Sequence, residues 1–351
     1  MLLSDFDYEL PSESIAQQPT DQRDQSRLMA IPRLTGEIEH RRFSQLTDYL
    51  SAGDLLVLND TRVIPARLRG HKESGGKIEI LLDRPAGQVW QEDGYFYQRF
   101  YCLVHSSRPL KPGKKALLAG GGQAILETAT KTNKQVLLKL PIPTQDYLEK
   151  NGEVPLPAYI KRRQDDPQPQ DRDRYQTVYA KDPGAIAAPT AGLHFTTQML
   201  KQLERKGIEL AYLTLHVGPG TFLPVRTQNV AEHVMHSERY AISRQAARAV
   251  EQARKENRRV VAVGTTVVRT LEAAWKDSRI VAGRAETDLF IRPGYEFKVV
   301  DALLTNFHLP KSTLLMLVCA FSTQARVISA YKVAVANNYR FFSYGDATFL
   351  F

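Results

Sequence analysis

Cysteine is almost absent from this chain: of 351 residues only Cys102 and Cys319 carry thiols, and they stand in unrelated contexts. Without a CxxC pair the sequence suggests neither a disulfide scaffold nor a cysteine zinc site, and such sparing use fits a reducing compartment. Long apolar runs are missing too. The longest, Leu314 to Phe321, falls far short of the roughly 20 residues that a membrane-spanning helix needs. The opening Met1-Leu2-Leu3-Ser4-Asp5-Phe6-Asp7 is acidic and lacks the apolar core of a secretory signal, so a cytoplasmic protein without membrane partners is expected. No GxGxxG fingerprint, GKS/T loop or GxSxG elbow occurs, which argues against dinucleotide, Walker-loop and serine-nucleophile readings. Neither cysteine has a basic neighbourhood, and there is no internal repeat or low-complexity tract.

What is present is a globular composition, 43% hydrophobic and 24% charged, with 47 Lys+Arg against 38 Asp+Glu and a net charge of +9. That excess suits a polyanion such as nucleic acid, and equally a merely basic protein. The charges are dispersed rather than gathered in a tail, which argues against a disordered nucleic-acid arm. The length allows two or three domains with a sizeable core.

Leu55-Leu56-Val57-Leu58 reads as a buried strand ending at Asn59-Asp60-Thr61-Arg62. From Leu68 to Pro141 short strands follow one another, among them the alternating Lys77-Ile78-Glu79-Ile80 and the aromatic-rich Tyr95 to Val104, with a turn near Lys131-Thr132-Asn133-Lys134. Gly120-Gly121-Gly122 reads as a flexible turn. Helices and strands then alternate. Thr144, Thr196 or Thr197, Ser243, Ser312 and Thr323 start helices; Ile208 to Leu215 and Arg259 to Val263 are strands; Tyr339 to Phe342 reads as a late strand. Lys161 to Arg174 is polar and proline-containing, so a mobile surface loop is expected there. The expected fold class is α/β: a main domain with a mixed, largely parallel sheet and flanking helices (residues 1–67 and 152–351), plus an inserted small β-barrel domain (68–151).

Chemistry concentrates in a few segments. Ala187-Ala188-Pro189-Thr190-Ala191-Gly192-Leu193-His194-Phe195 and Thr214-Leu215-His216-Val217-Gly218-Pro219-Gly220-Thr221-Phe222 each set a histidine among Gly, Pro and Thr, where ligands can approach backbone closely. Val263-Gly264-Thr265-Thr266 turns a buried strand into a helix whose first N–H groups and hydroxyls suit a carboxylate or phosphate, with Arg269 able to add a charge-assisted bond; an ordinary capped turn reads the same way. His233-Val234-Met235-His236-Ser237-Glu238 can place two histidines on one helix face, with Glu238 as ligand or general base. Asn59 to Arg62 follows a buried strand, where open α/β sheets place ligands. Asn306-Phe307-His308 and Tyr339 to Asp346 add a histidine, and an aromatic cluster whose Tyr344 and Asp346 can stack and bond a nucleobase.

Taken together, Asn59 to Leu68, Gly75 to Glu79, Tyr175 to Tyr179, Ala187 to Phe195, Thr214 to Phe222, His233 to Glu238, Val261 to Arg269, Asp301 to Thr313 and Tyr339 to Asp346 resemble the S-adenosylmethionine:tRNA ribosyltransferase-isomerases of queuosine biosynthesis. The resemblance covers nearly the whole chain and thins between Asp83 and Asn151. It implies transfer and isomerisation of the ribosyl part of S-adenosylmethionine onto 7-aminomethyl-7-deazaguanine at the wobble position of a tRNA with a GUN anticodon. The implied products are epoxyqueuosine-tRNA, adenine and methionine, with no metal and no cofactor beyond S-adenosylmethionine as co-substrate. Set against that chemistry, the expected catalytic residues are His194, His216, His236, Glu238 and Asp60. The expected substrate-binding residues are Thr61, Arg62, Thr190, Gly192, Gly218, Gly264, Thr265, Thr266, Arg269, His308, Tyr344 and Asp346. A monomer is the default. The competing readings are a metal-dependent hydrolase built on His194, His216, His233 and His236, and an RNA-binding module without chemistry.

Overall fold

The computed structural model describes residues 1–130, 134–162, 168–218, 220, 225 and 227–351. They form two compact units: Met1–Arg62, Ala158–Asp182 and Ala188–Phe351 make one, Val63–Pro157 and Pro183–Ala187 the other.

The larger unit is built on a nine-stranded mixed sheet. Its strands run in the order Gly283–Thr287, Glu238–Ile242, Glu209–His216, Leu55–Asn59, Val260–Val263, Ala302–Asn306, Ala347–Leu350, Arg27–Ile31, Glu39–Arg42. The four strands from Glu209–His216 to Ala302–Asn306 are mutually parallel; the flanking pairings are antiparallel except that Arg27–Ile31 runs parallel to Ala347–Leu350. Leu55 to Leu58 are all buried, as a strand covered on both faces requires. Leu56 and Leu58 pack with Met199, Leu200 and Leu203 of the Thr197–Arg205 helix.

Helix starts follow the expected chemistry at four places. The hydroxyls of Thr196, Ser243, Ser312 and Thr323 accept from the N–H groups of Met199, Ala246, Leu315 and Arg326. Thr144 is different: Pro143 holds the cap position, Thr144 is the first helical residue, and its buried hydroxyl has no partner. No single helix among the described residues is long and apolar enough to cross a membrane.

The smaller unit holds a closed antiparallel barrel. Arg67–Lys72, Lys77–Pro85, Tyr95–Ser106, Lys134–Leu140, Gln123–Ala129 and Lys115–Leu118 pair in a ring, the closing pair being Tyr95–Ser106 with Lys134–Leu140. Closure removes the edges a flat sheet would leave open. The alternation at Lys77-Ile78-Glu79-Ile80 is real: Ile78 and Ile80 point into a core with Leu68, Phe100, Leu126 and Val136. The mixed sheet with helices and the barrel together are the expected fold class.

Three local expectations are corrected or fall away. Tyr339 to Phe342 is not a strand: Phe341 alone makes an isolated parallel bridge, to Ile15, while the Asp346 carboxylate captures the Arg340 N–H and Phe342 adopts φ +74; the strand comes next, at Ala347–Leu350. The polar stretch from Lys161 is partly anchored: Asp171 is buried and bound at 2.6 and 3.0 Å by Arg162, whereas 163–167 lie outside the described residues. The turn expected at Lys131-Thr132-Asn133 also lies outside them.

Candidate active site at the carboxyl ends of the parallel strands

The four parallel strands end together, at Asn59, His216, Val263 and Asn306. Ligands of open α/β sheets bind at this edge, where neighbouring connections leave on opposite faces. Asn59 organises it. Fully buried, its Nδ2 donates to the Leu215 carbonyl (3.0 Å) and to Thr266 Oγ1 (3.3 Å), while its Oδ1 accepts from the N–H groups of Thr61 (3.1 Å) and Leu215 (3.0 Å). One amide thereby ties two strand ends to the first turn of the Thr265–Ala274 helix.

Asp60 and Thr61 come straight off Asn59. Asp60 Oδ1 accepts from Thr214 Oγ1 at 2.7 Å, and the same hydroxyl lies 3.2 Å from Asp182 Oδ2. Burial raises the Asp60 pKa, the Thr214 hydroxyl opposes that, and Asp182 adds to it. Thr61 Oγ1 lies 2.8 Å from His216 Nδ1, and burial with the nearby Arg239 lowers the His216 pKa. Arg62 is exposed, and Gly218 is half-buried.

Gly264 turns the next strand into its helix at φ +93, a left-handed backbone that suits glycine alone. Thr265 is buried, Thr266 is held by Asn59, and Thr270 Oγ1 donates to the Thr266 carbonyl. Arg269 is anchored from two sides: Nε donates to the Leu289 carbonyl at 3.1 Å and Nη1 pairs with Glu238, leaving Nη2 buried without a partner.

The turn Thr190–His194 lies over this edge, with Ala191 Cβ 3.7 Å from where a side chain on Gly264 would begin. Gly192 is obligatory: a Cβ there would stand 2.1 Å from the Tyr179 hydroxyl oxygen. His194 is buried, stacked on Phe43 at 4.8 Å, with Nδ1 2.7 Å from Ser26 Oγ. Burial lowers its pKa to about 4, opposed by hydrogen bonding with the Asn306 side chain. His308 is also buried, its pKa lowered to about 3. Its Nε2 meets Thr305 Oγ1 at 3.0 Å, its carbonyl accepts from Tyr8 and its N–H donates to Tyr331.

Several expected residues take other places. His233 and His236 share no helix face: a three-residue 3-10 turn ends at Glu232 and His236 is exposed, packed on the backbone of Gly220. Proline-free sequence allowed a helix, but the segment runs extended into the Glu238–Ile242 strand. Tyr344 is buried, donates to Asp171 at 2.9 Å and meets Tyr175 edge-on, so it offers no open ring to a base. Asp346 spends both oxygens on the N–H groups of Arg27 and Arg340. Among the described residues no three His, Cys, Asp or Glu side chains gather as a metal-ligand set, and the hydrolase reading has no support in this arrangement. Pro219, Thr221 and Phe222 lie outside the described residues.

A family model described as "Queuosine biosynthesis protein" matches residues 3–350. The chain belongs to this family of enzymes. Proteins named S-adenosylmethionine:tRNA ribosyltransferase-isomerase from Geobacter metallireducens and Anaeromyxobacter sp. are each 51% identical to it, over 100% of this chain and 100% and 99% of theirs. A crystal structure titled S-adenosylmethionine tRNA ribosyltransferase, from Thermotoga maritima, is 37% identical over 99% of this chain and all of that one, with a TM-score of 0.55. In this queuosine-family enzyme the motifs at Asp60-Thr61, His216, Gly264 to Thr266 and Thr190 to His194 meet at one sheet edge. Ser26 and Asp182 carry no signal in the sequence, and Thr177 and Tyr179 stand out there only as part of the Tyr175 to Tyr179 block. Ser26 stands 168 residues from His194 with no local pattern, so nothing short of the fold links them.

Proposed function

We propose that this enzyme transfers the ribosyl part of S-adenosylmethionine to 7-aminomethyl-7-deazaguanine at the wobble position of a tRNA with a GUN anticodon, and isomerises it to the epoxycyclopentanediol of epoxyqueuosine. Adenine and methionine leave. A cationic sulfonium and a neutral amine become neutral products and one proton, so the site must accept a proton from the carbon next to sulfur and let adenine depart.

The observation that supports this reading best is the gathering of Asp60, Thr61, His216, the Gly264–Thr266 helix start and the His194 turn at the carboxyl ends of four parallel strands. Asp60 and His216 are the groups placed for proton transfer: each has a pKa moved toward its neutral form by burial. The free N–H groups at Thr265 and Thr266, with the unpaired Arg269 Nη2, suit the methionine carboxylate. Thr190 and Gly218, both half-buried, suit contacts with the donor, whereas the space beside Gly192 is filled by Tyr179. His236 and Arg62, both exposed, suit contacts with RNA. No cofactor is required beyond S-adenosylmethionine as co-substrate, and the reading places the chain in the cytoplasm as a monomer.

The test is adenine release from S-adenosylmethionine, with and without an anticodon stem-loop carrying 7-aminomethyl-7-deazaguanine. Release that depends on the modified RNA, with ribosyl carbon appearing on it, supports the reading. Correctly folded enzyme that releases nothing with that RNA rules it out.

A further inference from the structure

Positive charge is scattered along the chain, but the fold of the barrel collects part of it at one rim. Lys72 and Lys77 flank the hairpin turn between Arg67–Lys72 and Lys77–Pro85. Arg108 follows Tyr95–Ser106, and Lys111, Lys114 and Lys115 lead into Lys115–Leu118. Strand register brings these segments to one end: Lys72 stands opposite Ala116, and Ile78 opposite Ser106. Contacts between the turns close the group. Lys72 Nζ donates to the Arg108 carbonyl at 2.6 Å, and Lys115 Nζ lies 3.3 Å from Glu73 Oε1. The Gly113 N–H donates to the Leu126 carbonyl at 2.7 Å, which folds the turn at 111–114 onto the strand Gln123–Ala129.

Six cations thus meet one carboxylate, Glu73, among the described residues of this rim. Residues 63–157 carry 14 Lys+Arg against nine Asp+Glu, so the rim alone accounts for the positive excess of that whole segment. The nearest other carboxylates are engaged by other arginines. Glu79 lies 3.6 Å from Arg67 and 3.5 Å from Arg69, and both oxygens of Glu127 accept from Arg99 Nε. Lys77, Arg108, Lys111 and Lys114 are exposed, form no ion pair among the described residues and take no part in the barrel core. Like charges gathered this closely repel one another until a polyanion arrives.

The other side chains of the rim narrow the partner. Ser74 and Ser107 are exposed between the cations, whereas the turns 72–77 and 107–115 expose no Leu, Ile, Val or aromatic side chain. A bilayer or an apolar protein face would call for such groups, and an unpaired base for a ring to stack on. Five of the six cations are lysines, point charges that meet a phosphate from many directions instead of selecting one planar geometry. This is the composition of a contact that positions a nucleic acid without reading its sequence.

We infer that this barrel rim binds backbone phosphates of the tRNA substrate without touching its bases. The inference rests on the proposed function, which makes the polyanion a tRNA. Chemistry stays with the residues at the sheet edge of the larger unit; the rim contributes to binding alone.

The experiment is fluorescence anisotropy of the full chain with a labelled, full-length tRNA transcript bearing a GUN anticodon, titrated at several salt concentrations. One variant combines Lys77→Gln, Lys111→Gln and Lys114→Gln. A control combines Arg84→Gln, Lys139→Gln and Lys150→Gln, which remove the same net charge from the same unit off the rim. In the rim variant the slope of log affinity against log salt is expected to flatten by about 2, nearly one for each lysine that meets a phosphate. The control should flatten it by less than about 0.5. Transcripts with other anticodons should lose affinity by the same factor in the rim variant, because the rim reads no base. Circular dichroism checks that both variants keep the fold. Lysine acetylation of the wild type, with and without the transcript and read by mass spectrometry, probes the contact without any substitution: protection is expected at Lys77, Lys111 and Lys114 and not at Lys150. Equal flattening in the rim variant and the control overturns the rim as a contact, since bulk charge alone would explain it. So does undiminished acetylation of the three lysines in the saturated complex. A rim variant that keeps its tRNA affinity but loses binding to phosphatidylglycerol vesicles assigns the rim to a membrane instead. Any of these results in an enzyme that releases adenine with the modified RNA removes this inference alone. A wild type that neither binds the transcript nor releases adenine removes the proposed function with it.

Discussion

Arg269 and Glu238 form an ion pair in which each side chain is only 6% exposed. Arg269 stands on the Thr265–Ala274 helix and Glu238 opens an edge-ward strand, so the pair fixes the helix that starts at Gly264 against the sheet. Removing one partner strands the other's charge in a dry place. Glu238→Gln is therefore expected to cost about 3–5 kcal/mol of stability, the usual penalty for breaking a buried pair. Replacing both, as Glu238→Gln with Arg269→Met, should cost less than the sum of the single changes. Urea denaturation of the three variants checks this; additive losses would mean that the pair carries no coupling.

Gly192 and Tyr179 are in closer contact than any side chain on residue 192 permits, and the Tyr179 hydroxyl is buried without a partner. Gly192→Ala should then displace the ring or open the His194 turn, at about 1–3 kcal/mol. Tyr179→Phe removes only the colliding, unsatisfied oxygen and should be neutral or slightly stabilising. Combined, the two changes should recover part of the alanine penalty. A double variant no more stable than Gly192→Ala alone would show that the clash lies elsewhere, in the Thr177 methyl that also borders this space.

Much of this architecture can be read from residue pattern alone, because the patterns are local. The run Leu55 to Leu58, the alternation at Ile78 and Ile80, and the caps at Thr196, Ser243, Ser312 and Thr323 each follow from residues within a few positions of one another. The strand Arg27–Ile31 is harder to read, since it has no alternation and is buried on almost every residue. At the sheet edge the motif residues were visible but their partners were not. Glu238 looks like a free acid until Arg269 is placed beside it, and Asp346 looks like a base-binding group until two backbone N–H groups claim it. Ser26 has no sequence signal, because its part depends on a ring 168 positions away.

The charge of +9 gives the proposed RNA partner a measurable signature. If phosphates of the anticodon arm supply most of the affinity, binding must weaken steeply with salt as counterions are no longer released at a profit. With about four phosphates neutralised, a rise from about 50 to 200 mM salt should cost on the order of 100-fold in affinity. Fluorescence anisotropy with a labelled stem-loop measures the slope. A slope near zero would mean that base contacts alone hold the RNA.

Two buried histidines make stability depend on pH in a definite direction. Both have an unfolded value near 6.5, and burial lowers His194 to about 4 and His308 to about 3. As pH falls below 6.5 the unfolded chain takes up protons that the folded chain refuses, so stability is fully present above that value and drains away toward the folded pKa values. Between about pH 7 and pH 5 each histidine should contribute a loss of about 2 kcal/mol. Asp60 and Asp346 work in the opposite sense, because their raised pKa values favour the folded state at low pH. A difference measurement separates these effects. His308→Gln should be less stable than wild type at pH 7, since the Thr305 contact is altered, yet its stability should fall by about 2 kcal/mol less on going to pH 5. Denaturation midpoints at the two pH values give the comparison. Parallel losses in wild type and variant would mean that His308 is protonated in the folded state, and that its burial does not hold it neutral.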